Sequence, residues 1–193
     1  MGGELEATRL DSDEAVKKVR RLLGWQGERF DDAVRCGVAP HNQLRKGEMI
    51  LFTGHALAGL ALPPSSFLLM LLEVFSLQLN HLTPNSIALI ATFAHLCEMF
   101  VGVRPCVKLF RQFFLPRALG STKGAAGAYY FQARADPEFT YIARAPVGKW
   151  DRWKEDWVIA RVESHDRLKF PGSLLPESER ADWEAVPELE AEF

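Results

Sequence analysis

The sequence predicts an α+β fold: a compact helical centre of three consecutive helices, then a small antiparallel β-meander, between disordered termini. Three observations carry this. Helix-start signals at Ser65-Ser66, Thr83-Pro84 and Pro105 follow closely on one another, each leading into an apolar run. After Gly120 the helical spacing stops, and short stretches rich in aromatic and β-branched residues begin. The first dozen residues are small and polar, and the last stretch is acidic.

Taken in order, residues 1–12 read as a disordered lead, 13–165 as a single domain and 166–193 as an acidic tail. Val16, Val19, Leu22 and Leu23 recur at helical spacing, capped by Ser12 or Asp13 and stopped by Gly24. Residues 25–47 show little periodicity and read as loop with one helical turn. Met49–Thr53 is expected to be extended, and Gly54–Pro64 an apolar, irregular approach to the next helix.

The helical centre spans residues 65–115. Ser65 or Ser66 caps a nearly all-buried helix over Phe67–Gln78, whose Phe67, Leu68, Leu71, Leu72 and Phe75 share a face widened by Leu69, Met70 and Val74. Thr83 and Pro84 open a helix reaching Val101, with Ile87, Ile90, Ala91, Ala94, Leu96 and Met99 offered to the core and Gly102 closing it. Pro105 begins a third helix that ends near Phe114, before Pro116. The sheet spans residues 128–162, with strands expected over Ala128–Arg134, Phe139–Ala143 and Trp157–Val162, burying Tyr130, Tyr141, Ile142 and Trp157.

Composition is that of a globular protein, at 48% hydrophobic and 25% charged residues, and 13 Phe with 5 Trp can build a real core. Net charge is −2, so no global field advertises nucleic acid. Cys36, Cys97 and Cys106 form an odd, sparse set, which fits a reducing compartment, cytoplasmic or nuclear. No signal-peptide pattern opens the chain, and Glu6 stands where a myristoylation motif needs Ser or Thr. The greasiest run, Phe67–Leu79, carries Glu73 and Gln78 and falls short of the roughly 20 apolar residues that span a bilayer, so no membrane partner is expected.

No catalytic, metal or cofactor site is expected. His95 and Cys97 project about 200° apart on a helix and cannot chelate together, and Cys-x-x-Cys spacing is missing. Cys97 and Cys106 read as small core residues, and His95 as a helical histidine with satisfied hydrogen bonds. The sequence holds no Gly-x-Ser-x-Gly elbow, Walker loop or dinucleotide fingerprint, and no small-molecule substrate is evident. Glu73 and Glu98 stand among apolar helix positions. They read either as proton-tuned carboxylates or as rim charges paired with an arginine such as Arg104 or Arg111.

Charge is distributed unevenly. Between Arg104 and Arg134 there are six basic residues and no acidic ones: Arg104, Lys108, Arg111, Arg117, Lys123 and Arg134. Arg104, Lys108 and Arg111 fall at i, i+4 and i+7, opposite Cys106, Leu109, Phe110 and Phe113, which predicts a basic stripe able to meet a polyanion. Arg117 and Lys123 extend the candidate set. An exposed helix face with three charges is also an ordinary solvated surface, and the acidic tail, seven acidic residues to one basic between Pro176 and Phe193, can fold back over it. Trp150 and Trp153, with Trp157 and the cations between them, are candidate stacking surfaces for bases or a peptide, or else complete a small core.

Several features together resemble the plant gypsy-type transposon domain. Gly47-Glu48 precedes an apolar segment, Gly59 and Leu62-Pro63 precede a Phe-rich helix, and Leu77-Gln78 is followed by His81-Leu82. Pro84-Asn85, Phe93, Cys97-Glu98, Gly102 and Pro105 follow, then Gly127-Ala128-Tyr129 and the three tryptophans. The likeness covers roughly residues 40–162 and implies a gag-like domain of Ty3/gypsy retroelements, acting by self-association or RNA contact, or a host copy recruited to bind an acidic protein partner. The sequence holds neither the Asp-Thr-Gly nor the Asp-Ser-Gly of an element protease, and no enzymatic activity is expected.

Overall fold

A computed structural model describes residues 8–10, 12–24, 34–36, 44–120, 126–135, 150–162, 165–168 and 183–185. Helix α1 (Asp13–Leu22) turns Val16 and Val19 inward, carries acidic residues in its first turn and basic ones in its last, and leaves at Gly24 with φ of 70°. Strand β1 (Val34–Cys36) follows where the sequence suggests loop. Three residues are too few to show periodicity, and the strand is defined by its partner.

Strand β2 (Glu48–Phe52) leads directly into α2 (Thr53–Leu57), a five-residue helix in the segment expected to be irregular. Gly54 makes it possible: a side chain there would press on Pro84 and Trp153, with Pro84 Cγ 3.1 Å from a Cβ. Helix α3 (Ser66–Val74) begins as predicted, the Leu68 amide donating to Ser65 Oγ at 3.2 Å. Its expected all-round burial is not realised. Met70 and Val74 face outward, 46% and 50% exposed, while Phe67, Leu68, Leu71 and Leu72 are buried.

Helix α4 (Pro84–Leu96) starts at the Thr83 cap, whose Oγ1 accepts from the Ser86 amide at 3.4 Å. It runs into a π-helical turn, Cys97–Val101, that ends at Gly102 with φ of 76°. The widened turn accounts for a wrong expectation. One extra residue per turn rotates later side chains off the core face, so Cys97 is buried but Met99 is 68% exposed.

Helix α5 (Val107–Phe113) passes straight into strand β3 (Phe114–Ala118), which pairs antiparallel with β4 (Tyr129–Ala133). Strand β5 (Trp157–Arg161) lies in a different sheet, of order β1-β5-β2, antiparallel throughout. The chain is α+β, but among the described residues two small sheets stand where a single meander is expected. Pro116 argues against a strand in sequence, yet it is tolerated in a two-stranded ribbon, where it pairs with Phe131. The expected strand at Phe139–Ala143, with Tyr141 and Ile142, lies outside the described residues. In β4 it is Tyr129 and Phe131 that are buried; Tyr130, expected inside, is only half-buried.

Among the described residues the core falls into two clusters. Met49, Leu51, Val158 and Ala160 face the main one, which centres on Phe67, Phe93, Phe110, Phe114 and Phe131. Ring centroids there lie 5.1 Å apart for Phe93–Phe110 and for Phe110–Phe131, both edge-to-face. Ile50, Phe52, Trp157 and Ile159 point the other way into a second cluster with Ala126. Strand β2 is therefore covered on both faces, which is why it reads as an unbroken apolar run. Buried Asn80 ties the parts together: its side-chain Nδ2 donates to Ile50 O at 3.0 Å, and its backbone carbonyl accepts from Gly127 N at 2.9 Å.

Both ends are more engaged than their composition suggests. In the expected disordered lead, Thr8 Oγ1 donates to Trp157 O at 2.7 Å and Arg9 reaches Asp156 at 2.6 Å. In the acidic tail, Leu168 and Trp183 are buried.

Candidate functional site

The basic residues picked out by sequence do not form one stripe. Helix α5 begins only at Val107, after Cys106, whose Sγ accepts from the Leu109 amide at 3.5 Å. Arg104 therefore precedes the helix. It is exposed, as is Lys108, whereas Arg111 is half-buried. Cys106, expected in the core, is exposed, and of its predicted apolar face only Phe110 is fully buried. Arg117 projects from β3 and is exposed; Lys123 lies outside the described residues.

Three arginines converge instead by way of the β3–β4 ribbon: Arg111 from α5, Arg117 from β3 and Arg134 just past β4. The Arg134 amide donates to Phe113 O at 2.8 Å, and its Nε to Arg111 O at 2.7 Å, which fixes the guanidinium beside Arg111. Burial and the neighbouring Arg111 push Arg134 below its ordinary value, partly opposed by Glu184.

The arginines meet the acidic tail. Arg134 Nη1 donates to Glu184 O at 3.0 Å, Arg111 Nη2 donates to Ala185 O at 2.9 Å, and Arg117 forms an ion pair with the Glu184 carboxylate. Next to them Trp183 is buried edge-on between Tyr129, with centroids 5.4 Å apart, and Phe75, at 6.3 Å. Arg111 also lies 5.8 Å over the Phe75 ring. The site joins an aromatic slot to a fork of guanidinium donors. In the sequence Arg134 stands in the basic run but outside the candidate set, and Trp183 stands outside every candidate set. A lone tryptophan in an acidic stretch was the one available signal.

The candidate tryptophans are both engaged within the fold. Trp150 is partly buried, its Nε1 donating to Asn85 Oδ1 at 2.9 Å. Trp153 packs on Phe52 and His55 with centroids 4.9 and 5.3 Å away, and Lys154 Nζ sits 5.6 Å from its ring. His55 itself is fully buried in α2, its Nε2 3.0 Å from Leu82 O. Burial pushes its pKa down to about 4, so at neutral pH the ring is uncharged, with Nε2–H as donor.

Glu73 is exposed and pairs with Arg167 at 3.4 Å, not with Arg104 or Arg111; Glu98 is also exposed. Among the described residues no group of three or more His, Cys, Asp or Glu is placed to hold a metal ion. The run Pro84–Val101, of mean hydropathy 1.3, is long and apolar enough by those measures to cross a bilayer, yet its Ile87, Ile90, Phe93 and Cys97 belong to the core.

Residues 50–118 match a protein family described as "Putative gypsy type transposon". The match, just over a third of the chain, runs from within β2 to the end of β3. It takes in α2 to α5 and with them Arg104, Lys108, Arg111 and Arg117. The chain is transposon-related over this stretch. No curated protein and no solved structure gave a match.

Proposed function

We propose that this transposon-related chain is a non-catalytic, gag-like binding domain of a plant gypsy-type element, intracellular and acting through RNA contact or self-association. The observation that carries the reading is the stretch from Arg104 to Arg134, six cations with no acidic residue, of which Arg104, Lys108 and Arg117 are exposed. Phosphate neutralisation by such a surface releases condensed counterions, so binding must weaken with salt. Titration of the chain with a mixed-sequence single-stranded RNA at low and moderate salt tests this. Binding that falls with added salt is expected; no binding at tens of micromolar protein in low salt would remove the RNA reading.

A second reading is favoured by the Trp183–Ala185 segment, which lies on Arg111, Arg117 and Arg134. It is that of a domesticated protein–protein interaction module, whose ligand is a peptide.

A further inference from the structure

We propose that the slot between Phe75 and Tyr129, with the Arg111, Arg117 and Arg134 guanidiniums beside it, is a docking site for peptides in which tryptophan is followed by an acidic residue. The chain's own Trp183–Ala185 segment occupies that site in cis. The inference rests on the interaction-module reading and names its ligand.

The nature of the contacts supports a separable ligand. Of the three tail residues only Trp183 is buried; Glu184 and Ala185 are exposed. The hydrogen bonds from Arg111 and Arg134 go to the backbone oxygens of Glu184 and Ala185, which any peptide supplies. Sequence preference then falls to two positions: the aromatic ring in the slot, and the carboxylate paired with Arg117. This is the anatomy of a hot spot, one desolvated aromatic anchor beside a charged rim. The Arg117–Glu184 pair is exposed on both sides and adds little alone, so the anchor carries the affinity.

The receptor half is built independently of the segment. Arg134 is held by its bond to Arg111 O, Phe75 packs against Phe131 at 5.6 Å, and Tyr129 is set by the β3–β4 ladder. A segment tethered to the same chain competes at an effective concentration on the order of 1 mM, so an outside peptide binds the intact chain only weakly.

The test uses a fluorescein-labelled peptide of residues 180–188 and three full-length chains: the parent, Trp183→Ala, and Glu184→Lys. The last alters an exposed side chain and so keeps the core intact even should Trp183→Ala fail to fold. By fluorescence anisotropy Trp183→Ala should bind the peptide at least about ten-fold more tightly than the parent, because the tethered anchor is gone, whereas Glu184→Lys, which keeps the anchor and loses only the exposed pair, should gain at most about five-fold. A peptide carrying Trp183→Ala should bind none of them. Equal binding to parent and to folded Trp183→Ala would overturn the docking site. So would equal binding of the tryptophan-less peptide, which would reduce the contact to charge. Displacement of bound peptide by stoichiometric single-stranded RNA would assign the surface to nucleic acid instead, leaving the RNA reading standing without this one.

Discussion

Lowering the pH from 7 to 5 protonates His55 in the unfolded chain but not in the folded one. Unfolded, the imidazole titrates near 6.5; folded, its burial against Phe52 and Trp153 pushes the pKa down to about 4. Between those values the unfolded state binds the extra proton, so stability falls as pH falls. It is fully present above the unfolded pKa and is lost down to the folded one. At pH 5 the two pKa values give a loss of about 2 kcal/mol relative to pH 7, rising to about 3 kcal/mol near pH 4. Urea denaturation of the parent and of His55→Gln at pH 7, 6 and 5 isolates the effect. Glutamine can still donate to Leu82 O but does not titrate, so all other groups cancel in the difference. With a slope of about 2 kcal/mol/M, the parent midpoint should drop by about 1 M more than the variant's over this range. Parallel pH profiles would show that the ring is not held neutral in a dry site, and the placement of α2 under Trp153 would be wrong.

Three further substitutions probe the packing. Asn80→Ala removes the bond that caps Ile50 O at the edge of β2, and should cost about 1–3 kcal/mol in chemical denaturation. Cys97→Ser puts a hydroxyl among apolar neighbours at the end of α4, with an expected cost of about 1–3 kcal/mol; an unchanged midpoint would place Cys97 at the surface. Gly127→Ala meets both a left-handed backbone, φ 64°, and the Trp153 ring, and should lower stability by at least about 1–2 kcal/mol, visible as a drop in Tm.

Much of this architecture is legible in the residues because it is locally encoded. Ser65 and Thr83 announce helix starts through their own hydroxyls, and Gly24 and Gly102 announce helix ends through backbone freedom. Strands β1 and β3 are defined by distant partners, β5 and β4, and nothing within Val34–Cys36 or around Pro116 expresses that pairing. The π-helical turn at Cys97 leaves the apolar spacing looking helical while turning Met99 outward. The candidate site follows the same division. Its charge asymmetry is visible in composition, but the convergence of Arg111, Arg117 and Arg134 depends on a helix, a strand and a ribbon end meeting in space. Trp183 reaches them from far along the chain.

The central claim is that the exposed cations of the Arg104–Arg134 stretch make this a polyanion-binding domain, and salt dependence tests it most directly. The parent chain and Arg104→Gln/Lys108→Gln/Arg117→Gln are titrated with the same single-stranded RNA across a series of salt concentrations. Each lost phosphate contact should flatten the plot of log K against log salt by about 0.7, so the triple variant should lose about two units of slope and bind more weakly to every sequence alike. An unchanged slope with unchanged affinity would contradict the claim and leave these side chains as a solvated face.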